Sequence, residues 1–261
     1  MQIRVLDKGF VRLVEVMGSD ASVVQAARVS YGEGTKTVRE DAALIDYLMR
    51  HRHTSPFEMV EFKFHVKAPI FVVRQWFRHR TASVNEVSGR YSVLKEEFYE
   101  PSAWRRQAKD NKQGSEGEFA DGEALALLKG VEWEAYRAYQ ALLEKGIARE
   151  MARMVLPLNL YTEFYWKQDL HNLFHFLALR LDPHAQLEIR QYAKAIAEIV
   201  KAHVPLAWQS FEEHVLRGAH LSRAELEALR RLLTPEAYEE ALRALGLSGS
   251  RVREALEKVF G

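Results

Sequence analysis

The alternation of apolar and polar residues predicts β-strands in two parts of the chain. Residues 3–16, IRVLDKGFVRLVEV, contain two apolar-rich runs joined at Asp7–Gly9, and this pattern predicts a β-hairpin. In EFKFHVKA, the apolar Phe62, Phe64 and Val66 alternate with charged and polar residues, which predicts a strand with one buried face and one face in water.

Helical periodicity predicts most of the remaining elements. The segment ASVVQAARVSY predicts a short helix, and DAALIDYLMRH predicts a longer one that follows a capping box of Thr37 and Glu40 and ends near His51. Two or three helices are expected within residues 123–156. Another helix is predicted to begin at Asp182-Pro183 and to bury one face, formed by Ile189, Tyr192, Ala193, Ile196 and Val200.

An amphipathic helix is also predicted for PIFVVRQWFRHR. Ile70, Val73 and Phe77 would form its apolar stripe. Gln75 and Arg78 would lie on its polar stripe, and the helix would therefore deliver them to the same place as the loop that follows.

Two segments depart from this regular patterning. Residues 103–122 are polar and aperiodic, which predicts an exposed insertion. The Ala/Leu/Glu/Arg-rich residues 217–261, with helix starts at Ser222 and Thr234-Pro235, predict a C-terminal helical extension. Together the patterns predict an α+β fold, in which residues 1–216 form an antiparallel sheet flanked by long helices.

Composition and charge narrow the class of protein. A net charge of +1 gives no overall attraction to nucleic acid or to an anionic membrane surface. No apolar run approaches the roughly 18 residues that a membrane-spanning helix needs, and the first residues lack the apolar centre of a signal peptide. We therefore expect a cytoplasmic protein that binds neither nucleic acid nor membrane. The absence of cysteine excludes disulfides, thiolate metal sites and thiol nucleophiles.

Hydrogen-bonding residues are concentrated in RHRTASVNEVSGR, residues 78–90. Arg78, Arg80 and Arg90 supply guanidinium groups, the serines supply hydroxyls, and Gly89 allows the backbone to approach a ligand closely. A charged loop is usually solvated surface, but the short and planar side chains of this one suit fixed hydrogen bonds. The set predicts a site for a nucleotide or dinucleotide.

The same stretch resembles the signature of the flavin-dependent thymidylate synthases, in which Arg-His-Arg is followed by spaced Ser, Asn-Glu, Ser and Arg. Three further blocks resemble that family in the right order, namely HRHTSPFE (51–58), ARMVLPLNLYT (152–162) and LRLDPHAQLEIRQYA (179–193). The resemblance covers roughly residues 1–215 and leaves the insertion and the extension outside it. It is consistent with the lack of cysteine, because the family is thought to need no enzymic nucleophile.

The resemblance implies a site for flavin adenine dinucleotide (FAD). Arg78, His79 and Arg80 would hold it, since cationic and donor groups suit a pyrophosphate. Ser55 matches a position near the flavin, and so does His53, which either assists proton or substrate movement or caps the preceding helix. A variable segment of the family that contacts the flavin corresponds here to Asp169, Leu170, His171 and His175.

The resemblance also implies a site for deoxyuridine monophosphate (dUMP). Gln75 and Arg78 would contact the nucleotide, with Arg78 shared between nucleotide and flavin. Arg153 would reach it too, although on its own Arg153 could form a surface ion pair with Glu150. The phosphate and sugar would be wrapped by one continuous segment, formed by Glu86, Val87, Ser88, Gly89 and Arg90. The carboxylate in that segment would orient arginine side chains or contact the flavin.

Arg180 is the residue that we expect to be catalytic. It precedes the predicted helix start at Asp182-Pro183, where the helix dipole would add partial positive charge. Its guanidinium would bind the substrate and stabilise negative charge developing on N3 and O4 of the uracil. The alternative is a buried arginine with a purely structural role.

The sequence also contains residues that could form a metal site or a nucleophilic serine. His171 and His175 lie four residues apart and close to Asp169, a spacing that alone could suggest a divalent metal site. No HExxH pattern or thiol supports such a site, and we expect no metal. Ser88 would act as a nucleophile only with an adjacent base such as His53 or His79.

The activity implied by the resemblance is reductive methylation of dUMP to dTMP. Methylenetetrahydrofolate would supply the carbon, and NADPH would reduce the FAD. The family also implies a homotetramer with sites between subunits, in which the 78–90 loop and Arg180 of one site come from different chains. A flavin-binding module without catalysis would not need Arg153 or Arg180, and a nucleic-acid binder would show a broader basic face.

Overall fold

A five-stranded antiparallel sheet forms the centre of the fold, as predicted. The computed structural model describes residues 1–29, 38–109 and 114–261. Thr37, and with it the capping box predicted for Thr37 and Glu40, lies outside the described residues. The strand order is β1-β2-β3-β7-β4. The strands are β1 (Gln2–Val5), β2 (Gly9–Met17), β3 (Glu61–Pro69), β4 (Ser83–Glu86) and β7 (Tyr161–Asp169).

The inner face of the sheet is apolar because buried apolar residues alternate along both β3 and β7, and the register of the two strands places these residues opposite each other. Phe64 pairs with Trp166 across the two strands, and both side chains are fully buried. The β1–β2 hairpin and the buried face of β3 are confirmed. The opposite face of β3 is not uniformly wet, since Lys67 is only 9% exposed and pairs with Glu97 at 2.8 Å.

Helices cover the inner face of the sheet. The helices of residues 1–216 are α1 (Asp20–Arg28), α2 (Val38–Arg50), α3 (Ile70–Trp76), α4 (Gly122–Glu144), α5 (Arg149–Ala152), α6 (Leu170–Arg180), α7 (Leu187–His203) and α8 (Pro205–Phe211). All five residues predicted for the buried face of α7 are fully buried. Within the described residues, no helix is both long enough and apolar enough to cross a bilayer.

Two predicted helix boundaries are wrong. The helix expected to start at Asp182-Pro183 begins at Leu187, because the Asp182 carboxylate accepts a 2.7 Å hydrogen bond from the backbone N–H of His184 and caps only a turn. Helix α3 ends at Trp76, which leaves Phe77 and Arg78 beyond it. Its buried residues are Val72, Val73 and Trp76, so only Val73 of the predicted stripe is buried.

The described part of residues 103–122 contains regular structure, contrary to the prediction of an aperiodic insertion. They contain a separate antiparallel hairpin, β5 (Trp104–Gln107) and β6 (Ser115–Phe119), with Arg105 paired to Glu118. The sequence does not predict these strands because most of their side chains are exposed on both faces, which leaves no alternation of apolar and polar residues.

The chain divides into two compact units, Met1–Leu216 and Arg217–Gly261. The second unit is helical, with α9 (Arg223–Leu232), α10 (Pro235–Ala244) and α11 (Ser250–Phe260). Both predicted starts are confirmed, since Ser222 and Thr234 accept backbone hydrogen bonds at the first turns of α9 and α10.

Candidate active site

A cavity of about 320 Å³ lies where four elements converge. The end of α3, the loop before β4, the last residues of β7 and one side of α6 contribute to it. Its walls carry three guanidinium groups and two imidazoles, a set suited to an anionic, hydrogen-bonding ligand. The lining residues are Arg78, His79, Arg80, Thr81, Gln168, Asn172, His175, Leu179 and Arg180.

Arg180 is fixed in this cavity by two hydrogen bonds. Its Nε donates to Nε2 of His79 at 3.0 Å, and an η nitrogen donates to the backbone oxygen of Gln75 at 3.2 Å. Burial lowers the pKa of the Arg180 guanidinium. Arg180 is the last residue of α6, where the dipole places partial negative charge, so the expected positive dipole at this position is wrong. The guanidinium itself remains the group that can stabilise an anion.

His79 is an acceptor here rather than a cation. Burial, the charge of Arg180 and the neighbouring His175 lower the pKa of His79 to about 4. Because its Nε2 accepts from Arg180, the neutral ring carries its proton on Nδ1. The ring also packs edge-on against Phe176, with 4.9 Å between ring centroids. A positive charge on His79 is therefore not available for a pyrophosphate at neutral pH, and Arg78 and Arg80 must supply it.

Of the predicted residues in and just before α6, only some line the cavity. Asp169 caps the helix, accepting from the backbone N–H and the side-chain amide of Asn172 at 2.9 and 2.8 Å. Leu170 is fully buried, whereas His175 lines the cavity and His171 does not. Among the described residues, no group of three or more acidic or imidazole side chains could hold a metal ion.

A second cluster lies beyond β4 and against α5. Gly89 is buried, and a Cβ at this position would lie 3.1 Å from Cδ of Arg153 and 3.0 Å from Leu94, so a larger residue would require these side chains to shift. The Glu150 carboxylate pairs with Arg90 at 3.2 Å, while Arg153 donates to the Glu150 backbone oxygen at 3.3 Å. The alternative of an Arg153–Glu150 side-chain ion pair is therefore wrong.

Strand β4 connects the two clusters, although the sequence predicts a loop here. Glu86 accepts a 2.8 Å hydrogen bond from the Thr162 hydroxyl, and the Val87 backbone N–H donates to Glu163. The Ser88 hydroxyl accepts from the backbone N–H of Arg90 at 3.3 Å. Within the described residues, no histidine hydrogen-bonds to the Ser88 hydroxyl, so the site offers no base for a nucleophilic serine.

Comparison with known proteins decides the family. The family model described as "Thymidylate synthase complementing protein" matches residues 12–206. A flavin-dependent thymidylate synthase of Thermus thermophilus is 81% identical over 261 residues, covering 100% of this chain and 97% of the relative. The chain belongs to the flavin-dependent thymidylate synthases.

Two further relatives support that assignment. A flavin-dependent thymidylate synthase of Treponema denticola is 56% identical over 264 residues, covering 99% of this chain and 97% of the relative. The crystal structure of PolB from Streptomyces cacaoi, a UMP/dUMP methylase bound with 5-Br dUMP, matches with a TM-score of 0.76 and 35% identity. That match covers 83% of this chain and all of the PolB chain.

The two clusters of this flavin-dependent thymidylate synthase lie apart within one chain. Thr81 is held by Gln168 and Val87 by Glu163, two positions of β7 that are five residues apart. Five residues of extended strand span about 17 Å. Arg180, in contrast, contacts both Gln75 and His79 of its own chain.

Two predicted residues belong to neither cluster. His53 and Ser55 are both exposed and follow the end of α2. The backbone N–H of His53 donates to the Leu48 oxygen at 2.9 Å, which supports the alternative that this residue caps α2. Its ring forms an exposed aromatic group with Tyr47 and His51.

Sequence reasoning missed Gln168, which anchors the cavity. It lies on the core-facing side of β7 and is 3% exposed, and its side-chain amide donates to the Thr81 oxygen at 3.0 Å. A signal was present, since Gln168 continues the buried alternation of Phe164 and Trp166 with a polar residue. A buried polar side chain at the end of an apolar stripe is expected to have a dedicated partner.

Proposed function

We propose that this protein methylates dUMP to dTMP, with FAD as its flavin, methylenetetrahydrofolate as the carbon donor and NADPH as the reductant. The observation that carries the proposal is the pairing of Arg180 with His79 in the Arg78–Arg80 cavity. It holds a guanidinium in a partly buried position, where an anion that develops on a substrate ring would be stabilised more strongly than in water.

The donor set of the cavity fits a flavin dinucleotide. Arg78 and Arg80 are exposed cations that could form charge-assisted hydrogen bonds to a pyrophosphate. His175 and Asn172 have shorter side chains and add further hydrogen-bonding groups. When bound, the flavin supplies the redox chemistry, and the protein binds and orients the reactants. A volume of about 320 Å³ is at the lower end of the range for ligand pockets, so one chain would enclose only part of the dinucleotide.

The second cluster fits a nucleotide monophosphate. Arg90 and Arg153 present two exposed guanidinium groups on either side of Gly89, whose backbone can approach a phosphate closely. Among the described residues, the only carboxylate that pairs with either arginine is Glu150, which forms an exposed pair with Arg90 that a phosphate could replace at little cost. Ser88 adds a hydroxyl next to them.

We further propose that one site combines the two clusters from different subunits of a homotetramer. The supporting observation is their separation along β7 within one chain. The expectation that the whole 78–90 loop and Arg180 come from different chains needs correction, because Arg180 binds Gln75 and His79 of its own chain. The proposed division therefore falls within β4, between Arg80 and Ser88.

Mixed subunits test this division. Arg180→Ala and Arg153→Ala proteins should each be nearly inactive, and unfolding and refolding them together should restore part of the activity, because some sites then combine two intact clusters. Mixtures that stay as inactive as their parents would contradict a shared site.

The function itself is tested by the visible spectrum of the purified protein and by anaerobic titration with NADPH. We expect flavin absorption that NADPH bleaches, bleaching that depends on dUMP, and dTMP formed from isotopically labelled methylenetetrahydrofolate. Arg78→Met should weaken FAD binding, whereas Arg74→Met, an exposed arginine of α3 outside the cavity, should not. A protein that neither contains nor takes up FAD would refute the proposal.

A further inference from the structure

A chain of three side chains holds the amide of Gln75. Gln75 Nε2 donates to Gln186 Oε1, and Gln186 Nε2 donates in turn to Glu188 Oε2 at 2.8 Å. Gln75 lies near the end of α3 beside Arg180, while Gln186 and Glu188 lie at the start of α7. These hydrogen bonds therefore run from a residue that contacts Arg180 into the protein interior.

The interior end of the chain is a buried ion pair. The Glu188 side chain is 4% exposed, and its Oε1 accepts from Arg105 at 2.7 Å and from the Tyr99 hydroxyl at 3.3 Å. Burial and the charge of Glu188 raise the pKa of Tyr99, so its hydroxyl stays protonated and donates. Arg105 comes from β5, so the hairpin that was expected to be an exposed insertion supplies the end of this chain.

The ion pair determines which group donates and which accepts in each hydrogen bond of this series. A carboxylate only accepts hydrogen bonds, so Gln186 must turn its NH₂ group towards Glu188 and its oxygen towards Gln75. Gln75 must then turn its own NH₂ group towards Gln186. Its carbonyl oxygen is left for another partner, and no described residue donates to it.

We infer that the Arg105–Glu188 pair, acting through Gln186, fixes the Gln75 amide so that Gln75 presents a hydrogen-bond acceptor to the nucleotide. Gln186 and Glu188 are positioning residues in this scheme. The inference rests on the proposed function, in which Gln75 contacts dUMP. A freely rotating amide could offer either its NH₂ group or its oxygen, whereas this one offers only the oxygen.

A fixed acceptor selects ligands that carry a donor. In dUMP the donors are the imide N3–H of uracil and the 3′-hydroxyl of the sugar. Cytosine has an acceptor at N3, so a Gln75 oxygen facing N3 would reject dCMP because two acceptors would meet. If the oxygen faces the sugar instead, the 3′-hydroxyl is the group that it recognises.

The test measures dissociation constants by calorimetry for flavin-loaded wild type and for Gln186→Met, with dUMP, dCMP and 2′,3′-dideoxyuridine monophosphate. The substitution removes the partner of Gln75 but leaves the ion pair in place. We expect dUMP to bind about three- to tenfold more weakly, as for the loss of one oriented hydrogen bond. The analogue that lacks the recognised donor should lose no affinity. If the imide is that donor, dCMP should bind more tightly, because a freed Gln75 amide can turn its NH₂ group towards N3 of cytosine.

The pattern over the three ligands distinguishes the possible outcomes. A dCMP affinity that is unchanged or higher identifies the imide as the donor, and an unchanged dideoxynucleotide affinity identifies the 3′-hydroxyl. An equal loss for all three ligands, or no loss for any, would overturn the inference, because a general structural defect cannot depend on one ligand group. Wild-type protein that binds no dUMP would instead refute the proposed function, and the inference with it.

Two further variants keep the test interpretable. Gln191→Met makes the same change on the same helix, outside the hydrogen-bond chain, and should leave all three affinities unchanged. If Gln186→Met does not fold, Glu188→Gln serves in its place, because an amide at this position no longer forces the direction of Gln186. It should show the same ligand dependence.

Discussion

Acidification should destabilise this protein through one side chain in particular. The neutral ring of His79 accepts the hydrogen bond from Arg180, and its pKa is lowered to about 4 by burial, by Arg180 and by His175. Protonation would remove the acceptor and place a second positive charge beside the guanidinium. The folded protein therefore resists a proton that the unfolded chain accepts readily.

The sign and size of the effect follow from the two pKa values. Above the unfolded value of 6.5, both states are neutral and His79 has no effect. Between 6.5 and about 4 the unfolded chain binds more protons, so the free energy of unfolding falls as the pH falls. The full difference corresponds to roughly 3 kcal/mol, and access of water to the half-buried ring reduces it to about 1–2 kcal/mol.

Urea unfolding of the flavin-free protein measures this effect. His79→Gln offers an amide oxygen to Arg180 but cannot be protonated, so its stability should fall less than that of wild type between about pH 7 and pH 4.5. His184→Gln is the matched control, because the His184 side chain is 84% exposed. Protein concentration is kept constant, since self-association changes apparent stability. Parallel pH profiles for wild type and His79→Gln would refute the reasoning.

Three further predictions concern the site and the extension. Gly89→Ala should displace the Arg153 side chain and weaken dUMP binding about tenfold by calorimetry; an unchanged affinity would show that Arg153 does not reach the phosphate. Arg180→Ala should slow dTMP formation about 100-fold or more while FAD stays bound, and near-normal turnover would exclude Arg180 as the catalytic group. Deleting residues 217–261 should leave a folded, FAD-binding protein, because Met1–Leu216 is compact by itself; a large fall in melting temperature or loss of assembly would assign the extension a stabilising or clamping role.

The parts of the fold that the sequence predicts are those in which burial dictates the residue pattern. Strand β3 and helix α7 each bury a complete face, so their apolar residues recur at the strand and helix periods. Strand β4 could not be found in this way. All four of its residues are exposed, and it is held by backbone hydrogen bonds to β7 that any sequence can make.

The start of α7 shows why a local signal can mislead. An Asp-Pro pair is typical of a helix N-terminus, yet here the carboxylate of Asp182 closes a turn on His184 and the helix begins five residues later. The error matters for function, because it reverses the dipole argument for Arg180. The sequence motif identifies Arg180 as a candidate, but its partners His79 and Gln75 lie about a hundred residues away and could not be predicted from the residues around it.

The orientation of the Gln75 amide also depends on residues that are distant in the sequence. Its amide is directed by Gln186, Glu188 and Arg105, which come from two distant parts of the chain and become neighbours only after the hairpin and α7 have packed. Motif matching can therefore identify a residue that contacts a nucleotide, but it cannot say which end of an amide faces the ligand. That choice is made by the buried carboxylate, and it decides whether the site reads a donor or an acceptor. If Gln75 contacts the nucleotide as we propose, recognition depends on a hairpin outside the motif blocks as well as on the motif residues.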